Sequence, residues 1–168
     1  MSHDNVTNFE YRKVSDLIPY ARNARTHSDA QITKLAGSIK EFGFINPVII
    51  SNDGGILAGH GRVMAARKLG LKEVPCVIES HLTEVQKRAY ILADNRLALD
   101  AGWDESMLKL ELEELQKLGE IDLSLTGFTD KEIDSFFDVG DDEDVKIPDE
   151  IDYKSELEIV ISCETEEE

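Results

Sequence analysis

Hydrophobic and polar positions alternate in a way that divides the first hundred residues into short strands and amphipathic helices. Glu10–Val14 reads as a short strand, followed by a turn-prone stretch through Pro19 and a polar, arginine-rich run over 21–27. Ser28 then opens a helix. Ser28 and Gln31 match a capping box, Ile32, Leu35, Ala36, Ile39 and Phe42 recur at helical spacing, and Gly43 closes the element. Pro47–Ser51 has the unbroken apolar character of a buried strand. The run Asn52-Asp53-Gly54-Gly55 is a turn signal, and Ile56–Ala58 is the natural hairpin partner. A helix from about His60 to Leu69 stops at Gly70, and Val74–Ile78 forms a further strand. Thr83 and Gln86 box the start of a longer helix that reaches about Leu99.

The pattern changes after residue 100. Asp104 caps a helix closed by Gly119, with Leu108, Leu112 and Leu115 as its apolar stripe, and Trp103 is placed to staple its start. Thr129 and Glu132 box a last short helix through Phe137, which Phe128, Phe136 and Phe137 would dock. Residues 138–152 are dense in carboxylates and read as a solvated linker. Leu157–Ile161 is one more strand, followed by a cap and the first turn of a helix that stops at Glu168. A lone strand with an unfinished helix cannot bury itself, so the chain reads as a fragment of a longer protein. The organisation that follows is a site-bearing domain over 10–100, a helical extension over 101–138, an acidic linker over 139–155 and the start of a further βα unit over 156–168. The fold class is α+β, a small mixed sheet packed with helices.

Charge sharpens this division. The 168-residue chain carries a net −17, which by itself argues against a nucleic-acid partner. Its partition says more. Residues 1–100 hold 13 basic and 11 acidic side chains, a net +2, whereas residues 101–168 hold 5 and 24, a net −19. All seven arginines lie between Arg12 and Arg96. No apolar run approaches the roughly 20 residues of a membrane span, and the first residues lack a signal-peptide pattern. Cys76 and Cys163 fit neither a disulfide framework nor a zinc pattern. A cytoplasmic protein is the expectation.

Three arginine-bearing segments carry the candidate chemistry. Gly59-His60-Gly61-Arg62 turns a strand into a helix, so backbone can approach a ligand and the free N–H groups of the first turn attract anions. Arg62 offers a bidentate donor suited to phosphate or carboxylate, and His60 the side chain that titrates near neutrality. The two glycines equally suit a plain tight corner. On a helical wheel, Val85, Ala89, Leu92 and Ala93 share one side with Arg96 in its middle, so Arg96 would be paired or reach into a site. Asn95 flanks that face and Asp94 points away from it. The third segment, Asn23-Ala24-Arg25-Thr26-His27, precedes the capped helix and adds a guanidinium, an imidazole and a hydroxyl. Together these favour an anionic ligand such as a nucleotide phosphate.

The assembled segments resemble the ParB/sulfiredoxin superfamily, in particular the ParB-like N-terminal ("ParB-like nuclease") domain. The resemblance runs from about Tyr11 to Asp100. It comprises Leu17-Ile18-Pro19 with Asn23-Ala24-Arg25, Ala36-x-Ser38-Ile39-x-x-Phe42-Gly43, Pro47-Val48-Ile49 and Ile56-Leu57-Ala58-Gly59-His60-Gly61-Arg62. Ala65-Ala66-x-x-Leu69-Gly70, Val74-Pro75 and Asp94-Asn95-Arg96 complete it. The resemblance implies a CTP- or ATP-type triphosphate held by Gly59, His60, Gly61 and Arg62, with Asn23, Arg25, Asn95 and Arg96 beside it. It also implies Mg²⁺, with Asp94 as a metal contact against the wheel, and leaves a homodimer open.

In that frame His60 would position water or act as base, and Arg62 and Arg96 would stabilise developing phosphate charge in a slow hydrolysis or a nucleotide switch. His60 stands where ParB proteins have glutamate, and Arg96 follows Asn95 directly, so the hydrolytic motif is altered. Relative to sulfiredoxin, His60 replaces the cysteine and Gly61 the histidine, which removes that redox chemistry. Similar domains with Trp-Asp and Thr-Gly-Phe segments, like Trp103-Asp104 and Thr126-Gly127-Phe128, accompany DNA methyltransferases of phages and mobile elements. The chain has no Asp-Pro-Pro-Tyr and no cofactor glycine loop, so it is no methyltransferase by itself. The alternatives are an accessory module that guides such an enzyme, reaching DNA through it, and a nuclease. No segment reads as a helix-turn-helix, and direct DNA binding by this chain alone is not expected.

Overall fold

The computed structural model describes residues 8–138. The proposed linker over 139–155 and the βα unit over 156–168 lie outside the described residues. Four strands, β1 (Asn8–Lys13), β2 (Val48–Ser51), β3 (Ile56–Ala58) and β4 (Glu73–Glu79), form one mixed sheet in the order β1-β4-β2-β3. β1 runs antiparallel to β4, β2 parallel to β4, and β2 and β3 form the antiparallel hairpin that the Asn-Asp-Gly-Gly turn requires. The fold is the expected α+β arrangement. Its strand limits shift by a residue or two at the ends. β1 starts at Asn8, and Val14 leaves it for a 3₁₀ turn through Asp16 in which its side chain is buried.

The core forms where the apolar runs converge. Val14, Leu17, Val48, Ile50, Ile56, Val63, Ala66, Val74, Cys76 and Ile78 pack as one cluster, and Ile32 and Ala36 of α1 (Asp29–Phe42) pack with Ala65 of α2 (His60–Lys68) as a second. Helix α1 starts as predicted, with Ser28 Oγ accepting from the Gln31 N–H. The box is only half made, because the Gln31 side chain turns to His27 Nδ1 instead of back to Ser28. At α3 (Glu84–Leu97) the Thr83–Gln86 box is complete in both directions.

The extension comprises α4 (Glu105–Leu118) and α5 (Asp130–Asp138), linked through a 3₁₀ turn over Leu123–Thr126. Leu112 is the buried centre of α4, and Ile133 that of α5. The short turn docks on α1: Lys34 Nζ donates to Gly127 O at 2.7 Å, and Leu125 occupies the space where a side chain at Gly37 would stand. Trp103 is 70% exposed, so the staple is a surface contact. It leans on Phe128 at 5.5 Å between ring centres, and Phe128 meets Phe136 edge-on. Of the three phenylalanines expected to dock the last helix, Phe128 and Phe136 meet in this way.

Candidate functional site

β3 ends at Ala58, and the chain reverses into α2 through Gly59, whose φ of +97° favours glycine. The same glycine leaves room for the Arg62 guanidinium, since a Cβ there would stand 2.9 Å from Nη2. Arg62 Nη2 donates to Pro47 O at 3.1 Å, while its Nε is buried without a partner. A buried donor without an acceptor is costly. It is the kind of group that a ligand oxygen can satisfy. Burial lowers the Arg62 pKa, and the charges of Asp94 and Tyr90 oppose that shift; at neutral pH the group remains a cation.

A cavity of about 400 Å³ opens at this turn. Gly59, His60, Gly61 and Arg62 line it from the α2 start, Arg25 and His27 from the preceding loop, and Asp94 and Asn95 from α3. His60 Nε2 accepts a hydrogen bond from the Tyr20 backbone N–H at 3.2 Å. A backbone amide can only donate, so that nitrogen is unprotonated and the ring proton sits on Nδ1. Burial, with His27 second, holds the His60 pKa below its ordinary value. As placed, the neutral ring anchors the loop by accepting through Nε2 and keeps its N–H on Nδ1.

Gly61 is required for a separate reason. An added Cβ would stand 3.0 Å from both His27 Cε1 and Leu35 Cδ1, so the His27 ring fills the volume that a side chain at position 61 would need. Arg25 is tethered across the cavity mouth. Its Nη1 lies 3.4 Å from Asn95 Oδ1 and 3.5 Å from Asn95 O, and Asn95 is oriented by donating from Nδ2 to Ile91 O at 2.8 Å.

Three placements differ from the sequence reading. Arg96 does not sit on a buried face. It is exposed, pairs with Asp100 one turn on, and borders a different surface hollow with Ala24, Thr26 and Leu99. The stripe around it faces solvent as well, with Val85 76% and Leu92 60% exposed. The helix instead turns Ile91 to the core and Asp94 and Asn95 to the cavity. The wheel located an apolar stripe correctly but could not say that the stripe stays uncovered. Asn23 is not part of the cavity wall either. Its Oδ1 accepts from the Arg25 N–H at 3.2 Å and shapes the loop that presents Arg25.

Asn46 and Gln31 line the cavity although nothing singled them out as contacts. A polar residue just before Pro47, at the mouth of a buried strand, was the available signal for Asn46. Among the described residues no three His, Cys, Asp or Glu side chains gather to hold a metal by themselves. Mg²⁺ is commonly held by one or two carboxylates with substrate phosphates. Asp94 supplies one carboxylate on the wall, so the donor set fits a metal that arrives with its phosphates.

Comparison with known proteins gives the same frame. The family model "ParB N-terminal domain" matches residues 2–96, more than half of the sequence. The chain belongs to the ParB N-terminal domain family. The "ParB-like nuclease domain-containing protein YnaK" of Escherichia coli is 54% identical over 78 residues, 46% of this chain and 90% of that protein. The chromosome-partitioning protein ParB of Myxococcus xanthus is 37% identical over 75 residues, 42% of this chain but 25% of that protein, so the match spans about a quarter of that relative. Among solved structures, the C-terminally truncated chromosome-partitioning protein ParB from Caulobacter crescentus, complexed with CTP-gamma-S, superposes with a TM-score of 0.62 at 20% identity. It covers 77% of this chain and 76% of that one.

A second family model, "ParB-methyltransferase HTH domain", matches residues 106–159. This overturns the expectation that no segment is a helix-turn-helix. The described part of the match holds α4 and α5, separated by Gly119–Thr129, and α5 carries Asp130, Glu132, Asp134 and Asp138 against Lys131. A basic second helix after a short turn is the usual sequence signal, and here the charge and the long connection hide it. Among the described residues no helix is long and apolar enough to cross a membrane.

Proposed function

We propose that this ParB-like domain binds the phosphates of a nucleoside triphosphate, CTP or ATP, in the cavity at the start of α2, and serves a DNA transaction such as modification or partitioning. The observation that carries the reading is the buried, unpartnered Nε of Arg62 beside the first-turn N–H groups of α2, within one cavity that Arg25 also borders. A phosphate there would satisfy the orphan donor and meet the positive end of the helix. His60 would donate from Nδ1, and Asp94 would hold Mg²⁺ through the bound phosphates. Arg96 is left out of this set. Calorimetry with CTP, ATP and ADP, with and without Mg²⁺, tests the reading on wild type and Arg62→Ala. Saturable binding lost in the variant supports it, and no binding to any of the three removes it.

A second reading rests on the match to a ParB-methyltransferase helix-turn-helix domain: an accessory module that reaches DNA through a methyltransferase partner. The acidic exposed side chains of α5 would repel phosphates, which favours a protein partner over direct DNA contact. It predicts a partner enzyme that keeps full activity with His60→Ala and loses it with Phe136→Ala. A nuclease role is the weakest of the three, and failure to nick supercoiled DNA with Mg²⁺ or Mn²⁺ removes it.

A further inference from the structure

Two imidazoles line the cavity, and the structure commits them differently. His60 accepts the Tyr20 N–H through Nε2, so a second proton on that ring would displace the contact that anchors the loop. His27 is held by its other nitrogen. Its Nδ1 lies 3.0 Å from Gln31 Oε1, an oxygen that can only accept, so the ring carries its proton on Nδ1 and donates it there. Nε2 then holds the lone pair, and it makes no hydrogen bond among the described residues. The ring stands over Gly61, in the room left by that residue's missing side chain, with Leu35 beside it. His27 is thus fixed in place with one nitrogen open to a ligand.

We propose that His27 is the proton-exchanging contact of this cavity: as phosphate binds, Nε2 takes up a proton from solvent and donates it to a phosphate oxygen, while Nδ1 stays on Gln31. This deepens the phosphate reading above, on which it rests, and makes binding at that site depend on pH. Once protonated, both ring nitrogens are donors, and both have acceptors, Gln31 Oε1 and the ligand. The charged and titratable groups around the ring are Arg25 from its own loop, His60 and Arg62 from α2, and Asp94 from α3. Helix α1 presents the uncharged Gln31 and Leu35. Arg25 and Arg62 are cations and Asp94 is the one carboxylate on the wall, so a further positive charge is matched only when an anion arrives. Imidazole suits this task because its ordinary titration lies near neutrality, where lysine and arginine are already charged.

Titration calorimetry of the full chain with CTP and with ATP, in excess Mg²⁺ and in buffers of different ionisation enthalpy, counts the protons taken up per ligand bound. Near pH 7, wild type is expected to take up roughly half a proton more than His27→Gln, which keeps a polar side chain and does not titrate. Its affinity relative to the variant should fall about tenfold between about pH 6 and 8, and this ratio cancels the titration of the nucleotide itself. Imidazole ¹⁵N NMR of the wild type reads the same event without a substitution. His27 Nε2 is expected to move from a lone-pair to an N–H signal on saturation, with Nδ1 an N–H throughout. Equal proton uptake and parallel pH profiles in the two proteins overturn the proposal and leave phosphate binding standing, as does an Nε2 that stays unprotonated in the saturated wild type. No binding of either nucleotide at any pH overturns the phosphate reading and this proposal with it.

Discussion

Helix α2 buries Gly61, Val63, Ala65 and Ala66 within nine residues, whereas α3, at fourteen residues, buries Ile91. Both border the same cavity. α2 is pressed between the sheet and α1, with the His27 ring filling the space over Gly61 and Gly59 set in a left-handed turn. α3 has the better local signals, with a complete capping box and an apolar stripe, yet it leans on the core through one side chain and is tied to the loop before α1 by Asn95 and Arg25. Local propensity and tertiary anchoring are therefore distributed in opposite ways across the two walls. One wall is held firmly by packing on both sides. The other is a helix whose position rests on a few contacts.

The largest expected effect is on the single anchor of α3. Ile91→Ala should cost about 2–4 kcal/mol of stability, as usual for emptying a buried aliphatic site. Leu92→Gln next to it should stay within about 0.5 kcal/mol, as exposed changes do. Urea melts of both variants separate the two faces, and equal losses would mean that the helix is rotated from the orientation described. For ligand binding, Arg62→Ala removes charge-assisted hydrogen bonds of about 1.5–3 kcal/mol, roughly a 10- to 150-fold loss of nucleotide affinity. Arg96→Ala, an exposed pair with Asp100, should change affinity less than about twofold. Titration calorimetry on the pair shows whether the wall of α3 contributes through Arg96.

On the α2 side, Gly61→Ala drives a methyl group into His27 and Leu35 and should cost roughly 1–3 kcal/mol by overpacking. Its thermal midpoint is the measurement, and an unchanged value would mean that His27 moves aside freely. The smallest effect is a pH dependence. His60 has a folded pKa below its ordinary value of 6.5, so the unfolded chain binds more protons in the window below that value. Its contribution to stability is whole above pH 6.5 and is lost as pH falls from there through the folded pKa. Midpoints measured from pH 7.5 to 5.0 should decline less in His60→Asn, which keeps an acceptor for the Tyr20 N–H and does not titrate. Parallel curves for the two proteins would assign the decline to other groups.

Much of this architecture was readable beforehand. Caps at Ser28, Thr83, Asp104 and Thr129, the glycine stops and the Asn-Asp-Gly-Gly turn are local signals, and each element they delimit is present. The cavity was readable in part. Gly59–Arg62 is contiguous in sequence and folds as a unit, and Arg25 with His27 joins it because the loop before α1 leads there. Of the two readings of Arg96, the acidic pair is present, with Asp100, but not the buried face, because a wheel ranks positions only against one another: the apolar stripe of α3 is real, yet no surface covers it among the described residues. The helix-turn-helix region escaped notice because its acidic side chains mask the usual charge signal.

What the sequence alone determined is the elements between residues 8 and 138 that caps and glycines delimit, the partition of charge at residue 100, and the glycine turn from β3 into α2. Periodicity, capping and glycine placement act over a few residues, and the chain carries them wherever it goes. What tertiary structure alone decided is which face of α3 is inward, that His60 Nε2 is taken by the Tyr20 amide, and that His27 occupies the space over Gly61. Each depends on groups distant in the chain meeting in space, such as Tyr20 with His60 and Arg25 with Asn95. Such contacts are selected by packing and by the need to pair every buried polar group, and no local pattern encodes them.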